Sequence, residues 1–327
     1  MIKLSVENKV WKLFKKFNIS RGTKTKAETV EVKLSMNDKV GLGECVPYSR
    51  YNETVNSVKD QIESVAEGIE LGKINLDNLS LNMLPGAARN AVDCALWDLK
   101  CKLEGSTIWS ILDQPKPKAI PSCYTIVLDS PEKMILDARK HSNFPLLKIK
   151  VDKDDLATIL TGIRNISPKA KIILDANESF DFKILHSHMD LFIETGIDLI
   201  EQPLPANNDD QLIEYKSPIP ICADESFHTI EDLDQVMNKY DSINIKLDKT
   251  GGLSEAIQIK RKAAEHNKII MVGCMVSSSL SMLPALTLCN NIDFVDLDGP
   301  CFLEKDRQGG LVYKNGLIEM NDISCWG

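Results

Sequence analysis

Short apolar segments alternate with stretches of helical periodicity from Cys123 to Asp298. These segments read CYTIV, LLKIK, KIILD, IDLIE, IPICAD, SINIK, KIIMVGCM and DFVD. Strands that alternate with helices form a parallel sheet, and eight such units close into a barrel. The pattern therefore predicts an α/β fold built on a (β/α) barrel.

The first part of the chain has a different, α+β pattern. Thr29–Leu34 and Val40–Glu44 have the character of strands on either side of an Asn-Asp dipeptide, which predicts a hairpin. Helical periodicity extends over Asn52–Leu71 and again from about Gly86 to Leu103. The residues between positions 113 and 119 are rich in Pro and Lys and indicate a domain boundary.

We therefore expect three regions. Residues 1–115 form an α+β domain, residues 116–298 form the barrel that carries the active site, and residues 299–327 form a segment that packs back on the first domain. The chain has 327 residues, which is enough for a barrel and a smaller partner.

Composition and charge limit the classes of binding partner that we expect for this chain. The net charge is −8, which argues against nucleic acid and against a membrane surface. The nine cysteines are scattered without a CxxC pair, as expected for reduced thiols in the cytoplasm. Charges interrupt the N-terminal residues, so no signal-peptide core is expected. The longest apolar stretch, Ile269 to Val276, is too short to span a bilayer.

Ionisable residues recur at the ends of the predicted strands. Each lies about one βα unit after the previous one, at the end of a barrel where active sites are built. They are Lys148 and Lys150, Asp175, Glu201, Asp224, Lys246, and Asp296 with Asp298. A single Asp at such a place is usually a helix cap, but five consecutive strands with an ionisable group are hard to explain in that way.

Three carboxylates in this set predict a metal site. Asp175, Glu201 and Asp224 would repel one another at the barrel mouth unless a cation lay between them. Oxygen ligands suit a hard ion, so we expect Mg²⁺, with Mn²⁺ as the second choice.

The lysines predict proton transfer. Lys148 and Lys150 point to the same side of their strand, and Lys246 lies four strands further on, across the barrel. A base on each face of a planar intermediate is what a racemase or epimerase needs. Lys150 and Lys246 are the expected bases, and Lys148 with the metal would stabilise negative charge on the substrate.

These residues resemble the pattern of the enolase superfamily, whose use of Lys or His bases with Mg²⁺ is a standard example of such chemistry. The KxK, DAN, EQP, ADES and NIK segments are similar to its muconate-lactonising subgroup, and most similar to the dipeptide epimerases within it. Further support comes from NISRGTKTKAE, GLGECVPYSRYNET, LPGAARNAVDCALWDL, NIKLDKTGGL, GCM and DLDGP. The resemblance implies a modified TIM-type (β/α)7β barrel with a capping domain formed from both chain ends.

The resemblance also implies a reaction. It is 1,1-proton transfer at the Cα of the C-terminal residue of L-Ala-D/L-Glu type dipeptides, in murein peptide metabolism. Asp296 and Asp298 would bind the α-ammonium of the dipeptide, with Lys148 as a further substrate contact. Arg21, in a loop that closes over the barrel, would bind the Glu side chain, with Lys24 as a rival.

Two further residues lie beside the metal ligands in the sequence. Asn177 and Glu225 are expected to support those ligands. One segment departs from the family pattern, because Val276 is followed by Ser277 where many relatives have Glu.

Several alternatives remain open. N-acylamino acid racemisation and o-succinylbenzoate synthesis belong to the same subgroup, although their substrates lack the ammonium that Asp296 and Asp298 suit. A Schiff-base aldolase would need one barrel lysine but not three carboxylates. A non-catalytic relative would have lost a ligand or a base, and none is lost here. The expected partner is a small dipeptide, with homo-oligomerisation left open.

Overall fold

The computed structural model describes residues 1–320 and 325–327. It begins with an antiparallel sheet of β1 (Lys3–Ile19), β2 (Gly22–Met36) and β3 (Lys39–Cys45). Asn37 and Asp38 have φ of 49° and 60°, the left-handed conformation that a two-residue type I′ turn requires. The predicted hairpin is confirmed, with longer strands, whereas β1 was not predicted.

Four helices follow, which are α1 (Val55–Glu70), α2 (Leu79–Asn82), α3 (Ala87–Glu104) and α4 (Ile108–Ile111). The long helices α1 and α3 pack on one face of the sheet, and the short helices contact α3. The two long ones agree with the predicted helices to within three residues at each end. A Cβ on Gly43 of β3 would collide with the main-chain oxygen of Ala91, so glycine allows α3 to lie close to the sheet.

The barrel follows a short strand, β4 (Ala119–Pro121). Its eight parallel strands are β5 (Tyr124–Ile126), β6 (Leu146–Lys150), β7 (Lys171–Asp175), β8 (Leu199–Glu201), β9 (Ile221–Ala223), β10 (Ser242–Ile245), β11 (Ile269–Gly273) and β12 (Phe294–Asp296). They pair in chain order. The amide of Cys123 donates to the carbonyl oxygen of Val295 at 2.9 Å, which brings the last strand beside the first. The predicted (β/α)7β barrel with a separate cap is confirmed.

Helices cover the outside of the barrel. They are α5 (Pro131–Lys140), α6 (Leu156–Ile166), α7 (Phe182–Ser187), α8 (Met189–Glu194), α9 (Leu233–Val236), α10 (Leu247–Thr250), α11 (Leu253–Glu265) and α12 (Ser279–Leu286). Outward-facing strand residues such as Ile149, Ile172 and Ile243 pack with these helices in one large core.

The barrel interior explains where the charged residues point. One inward layer is apolar and consists of Cys123, Leu146, Ile173, Leu199, Cys222, Met271 and Phe294. Side chains alternate along a strand, so the residue two positions further on also points inward, one layer closer to the C-terminal end. Those positions carry Thr125, Lys148, Asp175, Glu201, Asp224, Gly273 and Asp296.

The C-terminal segment adds two strands, β13 (Val312–Lys314) and β14 (Leu317–Glu319), which form a small sheet with β4. The indole of Trp326 donates to the carbonyl oxygen of Cys94 in α3 at 3.0 Å, which supports the proposed return to the capping domain. Residues 321–324 of that segment lie outside the described residues. We keep the boundaries at 115/116 and 298/299 as a proposal. In the described ranges, no helix is both long and apolar enough to cross a membrane.

Candidate active site

The predicted ionisable residues meet at the C-terminal mouth of the barrel. Lys150 pairs in register with Asp175, and Asp175 with Glu201, because each ends its own strand. Asp224 directly follows β9 and Lys246 directly follows β10. All five are buried, with at most 7% of their surface exposed.

The central contact is made by Lys148. Its ammonium nitrogen lies 3.0 Å from Oδ2 of Asp175, 2.7 Å from Oε2 of Glu201 and 2.7 Å from Oδ2 of Asp296. Burial alone lowers the pKa of Lys148, but the surrounding carboxylates outweigh it and hold that pKa well above its ordinary value.

The two predicted bases each contact a different predicted metal ligand. Nζ of Lys150 lies 2.5 Å from Oδ2 of Asp175, and Nζ of Lys246 lies 2.6 Å from Oδ2 of Asp224. Since the two lysines come from strands four apart in an eight-stranded barrel, they approach the mouth from opposite sides.

The three predicted metal ligands offer oxygen atoms alone, as a divalent-cation site requires, and in the described structure these oxygens contact lysines. Burial raises the pKa of Glu201 to about 8, and the nearby carboxylate of Asp175 adds to this shift. Oε2 of Glu201 is buried and forms an ion pair with Lys148 at 2.7 Å, outside hydrogen-bond geometry. A hard cation among Asp175, Glu201 and Asp224 would favour the ionised form of Glu201 and would be bound by oxygen ligands alone.

A second acidic cluster lies beside β5. Ligand atoms of Cys123, Asp296 and Asp298 all lie within 4.8 Å of one another. The thiol of Cys123 and the ammonium of Lys148 both donate to Asp296, at 3.0 and 2.7 Å. The thiol of Cys123 is a poor ligand for Mg²⁺, so this cluster suits that ion less well than a set of oxygen ligands alone.

Asp298 is the less acidic of the two carboxylates in that cluster. Its Oδ2 accepts a hydrogen bond from the amide of Thr125 at 2.6 Å. Burial raises the pKa of Asp298 to about 7, and the charge of Asp296 contributes to the shift. An ammonium ligand would lower the cost of burying both carboxylates.

Both clusters open into one cavity of about 400 Å³ under the capping loops. It is lined by Lys148, Lys150, Asn177, Asp224, Glu225, Lys246, Asp296 and Asp298, together with Arg21, Lys24, Tyr48, Tyr51 and Met275 from the surrounding loops. Every predicted site residue lines this cavity except Asp175 and Glu201, which contact Lys148.

The sequence predicted the surroundings of Arg21 less well. Its guanidinium pairs with Glu225 at 2.5 Å and with Glu178 at 3.0 Å. Lys24, by contrast, faces the ring of Tyr48 at 4.6 Å, and no carboxylate in the described part of the chain pairs with it. The charge of Arg21 is therefore neutralised by carboxylates of the protein, whereas the charge of Lys24 can pair with a carboxylate of a ligand.

Sequence reasoning also missed residues that contact the predicted metal ligands. The amide of Asn244 donates to Oε1 of Glu201 at 2.9 Å, and Lys249 contacts Asp224. Asn244 lies two residues before Lys246, so strand alternation could have indicated it. Ser277 is buried, and its hydroxyl donates to the carbonyl oxygen of Met275, so it closes a turn.

Family models match both parts of the chain. One described as Mandelate racemase/muconate lactonizing enzyme, N-terminal domain, matches residues 1–113, and one described as Enolase C-terminal domain-like matches residues 133–324. The chain belongs to the enolase superfamily. This agrees with the resemblance inferred from its strand-end residues.

Individual members of the enolase superfamily are similar over nearly the whole chain. An N-acetyl-D-glutamate racemase from a Pseudoalteromonas species is 41% identical, over 88% of this chain and 91% of the relative. The L-Ala-D/L-Glu epimerase of Escherichia coli K12 is 37% identical, over 97% of this chain and 99% of the relative.

Solved enolase-superfamily structures extend the comparison to ligands. An enolase family member from Agrobacterium tumefaciens, with homology to dipeptide epimerases and with bound sodium and L-Ala-L-Glu, has a TM-score of 0.96 and 42% identity and covers 100% of both chains. A dipeptide epimerase from Cytophaga hutchinsonii, complexed with Mg and D-Ala-L-Val, has a TM-score of 0.90 and 27% identity, covering 98% of this chain and 93% of that one.

Proposed function

We propose that this enolase-superfamily member is a Mg²⁺-dependent dipeptide epimerase, an isomerase acting on L-Ala-D/L-Glu type dipeptides. The observation that carries the proposal is the pair of buried carboxylates, Asp296 and Asp298, in the same cavity as two opposed lysines. A dipeptide has an α-ammonium group to meet these carboxylates, together with an acidic Cα–H between the lysines. A role in the metabolism of murein peptides is consistent with this substrate.

The metal would be held by Asp175, Glu201 and Asp224. When bound, Mg²⁺ supplies positive charge that stabilises a carboxylate carrying extra negative charge. Lys148 adds its own charge from within the same layer of the barrel interior. We assign Asn177 and Glu225 to the support of this region, because the amide of Asn177 donates to Oε1 of Glu225 at 3.4 Å.

The proton transfers fall to Lys150 and Lys246. The neutral amine of one lysine removes the Cα proton from one face, and the electron pair of the broken C–H bond is delocalised into the substrate carboxylate. The ammonium group of the other lysine then donates a proton to the opposite face. The configuration at Cα is thereby inverted, and the two lysines exchange protonation states.

A second function has a specific observation in its favour. The Pseudoalteromonas relative, at 41% identity, is an N-acetyl-D-glutamate racemase. An N-acetylated amino acid offers the same Cα–H and side chain but no ammonium group. Asp296 already pairs with Lys148, but Asp298 is buried and pairs with no cationic side chain in the described part of the chain. An ammonium ligand would offset the cost of burying its charge, which favours the dipeptide.

Asp298→Asn tests the choice between these substrates. Asparagine can still accept the hydrogen bond from Thr125, so the fold around β5 is retained. We expect KM for L-Ala-L-Glu to rise by a factor of roughly 10 to 100, the effect of a lost charged hydrogen bond. Turnover of N-acetylglutamate should not fall. Equal losses with both compounds, or no change with the dipeptide, would contradict the assignment of Asp298.

The side chain of the second residue needs its own partner. Arg21 remains the candidate predicted from sequence, but its pairs with Glu225 and Glu178 favour Lys24 for the Glu carboxylate. Lys24 lines the cavity with more than a third of its surface exposed, and partial desolvation together with the charge of Arg21 lowers its pKa. An acidic side chain beside it would restore a favourable environment for the ammonium.

A further inference from the structure

Side chains from two loops of the capping domain contact the same carboxylate at the barrel mouth. Arg21 follows β1, and Arg50 lies in the short 3-10 turn Ser49–Tyr51. Both guanidinium groups contact Glu178, which follows the predicted metal ligand Asp175 by three residues. The contacts therefore join segments more than a hundred residues apart in the chain.

Both carboxylate oxygens of Glu178 accept hydrogen bonds. Nη2 of Arg50 lies 2.9 Å from Oε1 and Nε lies 3.1 Å from Oε2, a two-pronged arrangement that fixes orientation as well as distance. Nη1 of Arg21 donates to Oε2 at 3.0 Å. The amide of Ala206, in the loop after β8, donates to Oε1 at 2.9 Å.

The backbone holds this carboxylate in a costly conformation. Asn177 and Glu178 are consecutive non-glycine residues with φ of 44° and 67°. Such residues cost roughly 1–3 kcal/mol each and persist only where surrounding contacts determine them. The turn carries the chain out of β7 and brings Glu178 against the capping loops, with only 9% of its side chain exposed.

Arg21 has further contacts on the barrel side. Its Nη2 donates to Oε1 of Glu225 at 2.5 Å and its Nη1 to the carbonyl oxygen of Asn177 at 2.9 Å. The neighbouring hydroxyl of Ser20 donates to the same carbonyl at 3.1 Å. The guanidinium thus bridges two barrel loops rather than pointing an unused edge at a ligand.

We propose that Glu178 is the anchor of a latch that holds the capping loops over the site, and that Arg21 and Arg50 are positioning residues. Exposed ion pairs alone contribute little, but here one shielded carboxylate joins two arginines to the barrel. The latch deepens the proposed function, because it assigns Arg21 to closure and leaves side-chain recognition to another residue.

Hydrogen exchange on the substrate-free protein tests the latch. In Glu178→Gln, amides in residues 19–24 and 48–52 should exchange at least tenfold faster than in the parent protein, while the barrel strands are unchanged. Glu265→Gln is the matched control, since within the described residues the carboxylate of Glu265 has an exposed pair with Arg261, at 4.0 Å, as its one contact. If Glu178→Gln does not fold, Arg50→Met gives the same readout. Unchanged loop exchange in a folded latch variant would overturn the proposal.

Kinetics then separate positioning from substrate binding. Glu178→Gln and Arg21→Met should each raise KM for L-Ala-L-Glu and KM for L-Ala-L-Met by similar factors. KM of the double variant should not exceed KM of the more impaired single variant. If Arg21→Met raised KM for L-Ala-L-Glu alone, Arg21 would be a substrate ligand, and its proposed role in the latch would be wrong. The exchange result needs no substrate, so it stands even if no dipeptide is turned over.

Discussion

Lys249 holds Asp224 from two sides. Its ammonium nitrogen donates to Oδ1 of the Asp224 carboxylate at 2.6 Å and to the main-chain carbonyl oxygen of the same residue at 2.5 Å. Only 2% of Lys249 is exposed. With Lys246 on Oδ2, both oxygens of a predicted metal ligand have a lysine partner, and Lys249 fixes the orientation of the carboxylate that would hold a cation.

Replacing Lys249 should therefore weaken metal binding. We expect Lys249→Met to bind Mg²⁺ roughly 10- to 100-fold less tightly in calorimetric titration, as is typical when a partner of a ligand is removed. Lys239→Met is the control, because Lys239 pairs with Asp209 and Asp210 on the outside of the barrel. Unaltered Mg²⁺ affinity in Lys249→Met would show that Asp224 does not depend on this contact.

The opposed lysines make a prediction about half-reactions. Lys150→Ala and Lys246→Ala should each lower epimerisation by a factor of roughly 10² to 10⁴. Each variant should still exchange the Cα proton of one dipeptide diastereomer with D₂O, and the two variants should differ in which diastereomer they exchange. The double variant should exchange neither. The exchange is monitored by NMR. If both single variants exchange the Cα proton of the same diastereomer, a two-base mechanism is ruled out.

Lys24 should determine the preference for an acidic second residue. We expect Lys24→Met to raise KM for L-Ala-L-Glu about tenfold or more, because a charged hydrogen bond is lost, and to change KM for L-Ala-L-Met little. Lys26→Met is a matched control, since Lys26 is exposed and pairs with Glu28 at 3.2 Å. Parallel changes for both dipeptides would exclude Lys24 as the partner of the side chain.

Gly43 tests the packing of the capping domain. A Cβ there would meet main-chain atoms of α3, which cannot move aside. Gly43→Ala should lower the free energy of unfolding by about 1–3 kcal/mol in a denaturant titration. Gly162→Ala is the comparison, because its Cβ would meet only the side chain of Ile135, which can change rotamer. Equal effects of the two substitutions would mean that α3 does not lie as close to the sheet as described.

The positions of the ionisable residues at the barrel mouth could be predicted from sequence because these residues recur once in each βα unit. Asp175, Glu201 and Asp224 each end a short apolar strand, and parallel strands bring their C-terminal ends together. The period-2 alternation also placed Lys148 and Lys150 on the same side. No tertiary information was needed for these residues.

Contacts that cross between domains could not be predicted in this way. The pairing of Arg21 with Glu225 depends on how a capping loop lies on the barrel, and the two residues are 204 positions apart. The strand β1 was missed because Lys and Glu residues interrupt its apolar positions, as is common at a sheet edge. Lys249 lies in the short helix after β10, where the strand repeat no longer applies.

The most direct test is NMR of L-Ala-L-Glu in D₂O with the purified protein and Mg²⁺. We expect loss of the Glu α-proton signal, appearance of the L-Ala-D-Glu diastereomer, an intact Ala α-proton, and no reaction when EDTA removes the metal. N-acetyl-L-glutamate should be racemised far more slowly. Exchange of N-acetylglutamate but of no dipeptide, or full activity in EDTA, would contradict the proposed function.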